Sequence, residues 1–471
     1  MEGKVISYST FASLLEKVGR FDVTGKTLLL PEMSRASECL LAATFRSFGV
    51  NAQMMETYKG LKLGKEFTSG KECFPCQVTL GDILYHLQKE KERLGDAFDA
   101  SNYVYFLPEA DGPCRFGMYN KLQRIVLDSF PEFQQIPIAY LSTKDGYAIG
   151  GLLPSEKAKH FRRTAYVAMV AGDVWDRTLW RVRPYENRKG AMDQLYDEGL
   201  EVLSKVIEKH GHKKDFRKIR KTLRELVHEA RSLIDPHIPR KPRIGIVGEI
   251  YLRCHTKANQ EIIRLIEKYG GEVVNASMSE WINYIAYDTA LKVRNKWKMA
   301  LRLGRWAEFS RNFKSWLKHW IEYYYQLWRQ GQVYRAARSE MDIAPDHAIG
   351  PLEDKLGPRK LFCFDVGTEA ALSIAGALAY AEHGFNGVVN VFPFTCMPST
   401  ATSAVLKPLL QKLRIPYIDS AYDGTYQPNR DAIVRTFMYQ AYQHQEKQKE
   451  NGSTFHYHFG KKWYLSEWLI Q

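Results

Sequence analysis

The sequence predicts an α/β protein: two flavodoxin-like (Rossmann-like) parallel-sheet lobes with long helical insertions. Three observations predict it. Short apolar runs alternate with amphipathic helical stretches toward both ends of the 471-residue chain, the alternation that builds parallel sheets covered by helices. The length exceeds what one hydrophobic core ordinarily covers. And two distant segments, 103–146 and 388–424, repeat one order: apolar strand, Pro-containing loop with a cysteine, amphipathic helix, Ile-Pro, strand, Asp-Gly.

In the first lobe "KTLLLPEM" (26–33) reads as a buried strand, "ASECLLAATFRSFG" as a helix stopped by Gly49, and "VNAQMME" as the next strand. "CQVTLGDILYHLQKEKERLG" reads as a helix ending at Gly95, followed by the strand "NYVYFLPEA", the helix "RFGMYNKLQRIVLDSF" and the strand "IPIAYLST". Apolar runs bounded by glycine and proline mark the strands, and glycine just past a periodic stretch marks a helix end. The alternation resumes at "IPRKPRIGIVGEIYLR", where two prolines break a long charged helical region and "GIVGEIYLR" reads as a strand. The expected organisation is a first lobe at 1–154, a helical basic connecting segment at 155–240, and a second lobe at 241–450 with a helical insertion at about 279–345. A C-terminal tail at 451–471 completes it.

Hydrophobic residues at 45% and charged residues at 25% place the chain among ordinary globular proteins. "MEGKVISYSTFASLLEKVGRFDV" has neither a long apolar run nor a small-residue cleavage site, so no signal peptide is expected. "KSWLKHWIEYYYQLWRQ", the most aromatic stretch, is broken by charges and reads as an amphipathic helix, so neither a span nor a membrane partner is expected. Seven cysteines, an odd and sparse number, argue against a secreted disulfide scaffold and for the reducing cytoplasm. The formal charge of +14 is concentrated in stretches such as 209–225, which holds eight Lys/Arg against two acids. Its helical spacing makes it largely a solvated face; polyanion binding is the lesser reading, beside an acidic partner or a phosphate-bearing substrate.

The chemistry-bearing residues are the cysteines of "KECFPCQ" (71–77), Cys114 and Cys396. Cys114 and Cys396 sit just past the carboxyl end of a strand and at a helix start. Cys73 and Cys76 also precede a helix. Ligands of open α/β sheets bind outside the carboxyl ends of the strands, and a helix N-terminus favours thiolate over thiol. Three loops carrying Cys73/Cys76, Cys114 and Cys396 are therefore expected to meet in one cleft. One close pair and two singles suit an iron–sulfur cluster held from separate loops. A zinc site, which favours two close pairs, and a site without metal stay open as alternatives. Cys254, after "GIVGEIYLR", and Cys363, in "KLFCFDVG", are lesser additional ligands; Cys39 reads as a small core residue. Glu249 at a strand end is either an acid–base group or a cap or partner of Arg253. Lys71 and Arg115, beside cysteines, either screen cluster charge or belong to the loops. No GxxxxGK[ST], dinucleotide glycine spacing or HExxH occurs, so ATP, NAD or a His-based zinc hydrolase site is not expected.

Four blocks, "SGKECFPCQVTLGDIL", "PEADGPCRFGMYNKLQRIVLD", "GIVGEIYLR…AN" and "NVFPFTCMPSTATSAVLKPLL", carry a resemblance over nearly the whole chain. They are similar to the dehydratase-like part of the large 2-hydroxyglutaryl-CoA dehydratase activator-like proteins, in the superfamily of 2-hydroxyacyl-CoA dehydratases, benzoyl-CoA reductases and double-cubane cluster proteins. The resemblance implies two flavodoxin-like lobes with an iron–sulfur cluster between them, a [4Fe-4S] cubane or a double cubane. Its ligands would be Cys73 (or Cys76), Cys114 and Cys396; Cys254 and Cys363 do not match the family's pattern. It also implies low-potential electrons from an ATP-hydrolysing iron–sulfur activator of the actin-like sugar-kinase fold. That ATPase region is lacking here, so the activator is expected as a separate chain. A small substrate would be reduced or dehydrated, with a 2-hydroxyacyl-CoA thioester as the candidate, in an oligomer. The alternatives are a non-catalytic electron-transfer or scaffold iron–sulfur subunit and a zinc-stabilised nucleic-acid-binding protein.

Overall fold

The computed structural model describes residues 14, 16–145, 147–213, 215–357 and 361–450, so the expected tail at 451–471 lies outside the described residues. The chain is α/β, with two all-parallel sheets and many helices among the described residues. Backbone contacts divide it into two compact units. One comprises Met1–Met169, Leu200–Ile219 and Pro393–Thr395; the other Val170–Gly199, Arg220–Phe392 and Cys396–Gln471.

The sheet of the first unit has five strands: β1 (Val18–Gly19), β2 (Thr27–Leu30), β3 (Asn51–Met54), β4 (Tyr103–Phe106) and β5 (Ile138–Ala139), ordered β1-β5-β4-β2-β3. Strand alternation sends successive side chains to opposite faces. Leu28, Leu30, Val104 and Phe106 join Phe45 and Phe161 on one face. Leu29, Tyr103 and Tyr105 join Cys73, Cys76, Leu80 and Leu84 on the other. Helix Phe74–Leu94 covers this second face and ends at Gly95, whose φ of 56° suits glycine. The short helix Leu61–Glu66 meets it backbone to backbone: a Cβ at Gly60 would lie 1.9 Å from the Gly81 carbonyl oxygen, and one at Gly81 2.1 Å from that of Gly60.

"IPIAYLST" pairs as a strand only at Ile138–Ala139, shorter than its apolar run suggests. Pro137 has no N–H to give a ladder, although Glu109 N still reaches the Leu141 carbonyl at 2.9 Å beyond it.

The sheet of the second unit has β6 (Arg243–Gly248), β7 (Glu272–Asn275), β8 (Gly387–Pro393) and β9 (Tyr417–Tyr422), ordered β7-β6-β8-β9. Without its edge strand β1, the first sheet has the same order, β3-β2-β4-β5. In each, the order reverses between the first and third strands of the repeat, β2/β4 and β6/β8, which is where such sheets open a crevice. Cys114 follows β4 and Cys396 follows β8, so the two occupy equivalent loops.

Between β7 and β8 come helices Met278–Arg302, Trp306–Arg338, Ile349–Leu356 and Glu369–Glu382. The strand expected over "GIVGEIYLR" ends at Gly248. Gly248 has a φ of 120°, and a Cβ there would lie 2.1 Å from the Val391 carbonyl. The chain then turns into the short helix Ile250–Cys254, so Cys254 ends a helical turn rather than following a strand. The basic stretch is helical as its spacing predicts. Helix Arg217–Ser232 buries Ile219, Leu223 and Val227, while Arg217, Lys221 and Arg224 pair with Asp215, Glu225 and Glu340. Among the described residues, no helix is long and apolar enough to cross a membrane.

Candidate functional site

Three of the predicted ligands share one local geometry. Cys73 is the N-cap of helix Phe74–Leu94, Cys114 of the 3-10 turn Arg115–Met118 that leads into helix Tyr119–Asp128, and Cys396 of helix Met397–Lys412. None of the three caps its helix through sulfur. Cysteine is not among the preferred N-caps, so its recurrence there needs a reason other than capping. Proline at the second helical position follows both Cys73 and Cys396, where its missing N–H costs nothing.

In the first unit Cys73 and Cys76 are buried on the face of helix Phe74–Leu94. Cys73 has φ 96° and ψ 146°, backbone space otherwise kept for glycine. Cys76 N donates to the Cys73 carbonyl at 3.2 Å, which holds the turn. Burial pushes the Cys76 thiol up to about 12. The amide Nε2 of Gln123, itself fixed by a 2.8 Å bond to Thr79 Oγ1, lies 3.9 Å from the Cys76 sulfur. An N–H aimed at a buried sulfur is the kind of contact that tunes a cluster's potential.

Arg115, next to Cys114, joins the loops of this unit. Its Nη1 donates to the Lys71 carbonyl at 2.6 Å and its Nη2 to the Thr395 carbonyl at 2.8 Å. Thr395, whose φ is 65°, directly precedes Cys396 in the chain. Both residues flagged beside cysteines thus take part in one contact, Lys71 through its backbone and Arg115 through its side chain.

The second unit gathers buried polar groups at the carboxyl edge of its sheet. Glu249, just past β6, accepts from Tyr251 N at 3.0 Å and Leu252 N at 2.9 Å. It therefore caps the helix Ile250–Cys254 and does not pair with Arg253. Instead the fully buried Arg253 guanidinium donates to the carbonyls of Gly248 and Ser277, each at 3.1 Å. Burial, reinforced by the nearby Glu369 carboxylate, pushes Glu249 up to about 7. Burial likewise raises Glu369, whose Oε1 lies 3.9 Å from the Cys396 sulfur. Glu369 had no sequence motif to reveal it. The only signal was an acidic residue in the first turn of an otherwise apolar helix, "GTEAALSIAGALAYAEHG".

The remaining cysteines lie elsewhere in their units. Cys39 is half-buried, its sulfur 4.0 Å from Ser204 Oγ, so it borders the core rather than filling it. Cys254 ends its helical turn, with burial pushing its thiol up to about 12. Cys363 is exposed and caps the short turn Phe364–Val366. Among the described residues all seven cysteines are thiols rather than disulfides.

Among the described residues no three His, Cys, Asp or Glu side chains converge as a single metal ion requires. A cubane sets a different requirement, because each of its irons takes its own thiolate. The donor chemistry fits it: soft sulfur ligands at helix starts, with Cys73, Cys76 and Cys396 buried and Cys114 half-buried, and an amide N–H beside one sulfur. No protein-family model matches the chain, and no curated protein is similar to it.

Proposed function

We propose that this chain is an iron–sulfur protein that takes low-potential electrons from an ATP-driven activator and uses them to reduce or dehydrate a small substrate. The observation that carries the reading is the Arg115 guanidinium. It ties the loop that leads into Cys73, its own loop at Cys114, and the residue before Cys396. Cys73 (or Cys76), Cys114 and Cys396 are the ligands in this reading.

When bound, such a cluster supplies single electrons at low potential. The chain's own residues do the rest. The Gln123 amide meets Cys76, and Arg115 holds the loops of Cys73 and Cys114. A hydroxyl leaves more readily as water, which calls for a proton donor near neutral pH. Glu249, raised to about 7, holds a proton there. The substrate class is a small molecule with a hydroxyl or carbonyl that resists ordinary acid–base chemistry, a 2-hydroxyacyl-CoA thioester being the specific candidate. The reading carries a cytoplasmic setting, where thiolates stay reduced.

The test is iron and sulfide quantification on anaerobically purified protein, alone and as Cys114→Ser and Cys396→Ser variants. The expected result is brown protein with about four iron per chain, as a cubane requires, and loss of iron in each variant. Colourless protein with stoichiometric zinc, or full iron retention in both variants, overturns the reading. A second reading, an electron carrier with every iron ligated, is favoured by the burial of Cys76 beside Cys73. It predicts that added thioester leaves the spectrum of the reduced cluster unchanged.

A further inference from the structure

Helices Met278–Arg302 and Trp306–Arg338 form a hairpin whose outer part has almost no core. Between 292 and 322 Ala300 is the only buried residue. The aromatic residues there stack on one another instead. Trp297 lies 5.9 Å from Phe309, 5.7 Å from Phe313 and 5.7 Å from Trp316, so the hairpin has an aromatic seam of its own.

The turn of the hairpin is apolar and open to solvent. Met299 is 56% exposed, Leu303 57% and Trp306 68%, around Gly304, whose φ of 67° makes the turn. From there Phe313, Leu317, Ile321 and Tyr324 continue as an exposed stripe at helical spacing. The same stretch is strongly basic. Between 292 and 318 it holds nine Lys and Arg against the single acid Glu308, more than half of the chain's net charge of +14.

We propose that the tip of this hairpin docks on the surface of an anionic phospholipid bilayer. Basic residues Lys298, Arg302 and Arg305 lie within a turn of the exposed Met299, Leu303 and Trp306. Cations with long apolar stems, together with tryptophan, sit at the headgroup level, while Leu and Met enter the acyl boundary. Anionic headgroups attract such a basic cluster. A second copy would oppose two strongly positive hairpins. An acidic protein would answer the charge, but the apolar residues occupy the very end of a hairpin, and a fluid boundary can close around an end. No helix among the described residues spans a membrane; this contact lies on the surface and is independent of the cluster reading above.

The test is co-sedimentation of the purified full chain with phosphatidylcholine vesicles, with and without phosphatidylglycerol. The chain is expected to sediment with the anionic vesicles at low salt, on the order of tenfold more than with phosphatidylcholine alone, and to be released by high salt. Two variants divide the contributions: Leu303→Asp with Trp306→Asp, and Arg302→Glu with Arg305→Glu. All four side chains are exposed, so both variants should melt with the parent and lose at least roughly tenfold in vesicle binding. Failure of the parent to bind anionic vesicles, parental binding by both variants, or binding to single-stranded RNA without binding to vesicles overturns the proposal.

Discussion

Arg115 holds the backbone of Thr395, Nη2 to carbonyl oxygen at 2.8 Å, while its Nη1 holds Lys71 at 2.6 Å. Two positions around this guanidinium have backbone that non-glycine residues avoid: Thr395 itself, with φ 65°, and Cys73, two residues past Lys71, with φ 96°. Each such residue costs on the order of 1–3 kcal/mol and persists only where its surroundings hold it. One planar fork with several donors is suited to holding two carbonyls at once; a lysine ammonium is not.

Arg115→Lys should therefore keep the fold but loosen the loops. Reconstituted iron is expected to fall to roughly half or less of the parent's, while the circular-dichroism spectrum stays the same, because the fork and not the charge does the holding. Full iron in both Arg115→Lys and Arg115→Met would show that the guanidinium does not shape the cysteine loops.

The close approach of Gly60 and Gly81 predicts a stability effect of its own. A Cβ on either would meet carbonyl oxygen at about 2 Å, and backbone cannot swing aside as a side chain does. Gly81→Ala should cost about 2–3 kcal/mol, by overpacking where helix Leu61–Glu66 crosses helix Phe74–Leu94. Urea denaturation measures it; a midpoint equal to the parent's would mean the two helices can separate freely.

Much of this fold was legible in the sequence because its central strands are buried on both faces. Such strands read as continuous apolar runs, as "TLLL", "YVYF", "RIGIV" and "GVVNVFP" do. What misled was the same signal carried one step too far. "EIYLR" continues the apolar run after Gly248, yet the glycine turn and the Glu249 cap make it a helix. The cysteines at helix starts were legible because strand, loop and helix alternate regularly around them. Glu369 was not: about 120 residues separate it from Glu249, and no spacing rule reaches across a hairpin insertion.

Inside the second unit, Arg177 and Asp346 form a buried pair, Nη2 to Oδ1 at 2.5 Å, with each side chain 4% exposed. Gln330 and Ser279 also donate to Asp346. Asp346→Ala would leave the guanidinium buried without its counter-charge, at a cost of about 3–5 kcal/mol. Asp346→Asn keeps the shape and one acceptor oxygen and should lose less. Equal denaturation midpoints for Ala and parent would show that the pair contributes nothing.

The half-buried Glu249 makes stability depend on pH. In the folded chain its carboxyl keeps its proton up to about pH 7; in the unfolded chain it releases it near the ordinary value of 4.5. Between those limits the folded state binds more protons, so this residue's contribution falls as pH rises through the window and is fully lost above it. Glu249→Gln keeps one oxygen to accept from Tyr251 N or Leu252 N, loses the second acceptor, and cannot ionise. The variant should trail the parent near pH 4.5 and gain on it by on the order of 3–4 kcal/mol by the time pH exceeds about 7, given about 1.4 kcal/mol per pKa unit. Removing the neighbouring like charge with Glu369→Gln should lower the Glu249 pKa and shift the upper edge of the window down. Denaturation midpoints across this range measure both. If the curves of Glu249→Gln and the parent run parallel, this carboxyl is ionised in the folded chain throughout, and Glu249 holds no proton for the departing hydroxyl.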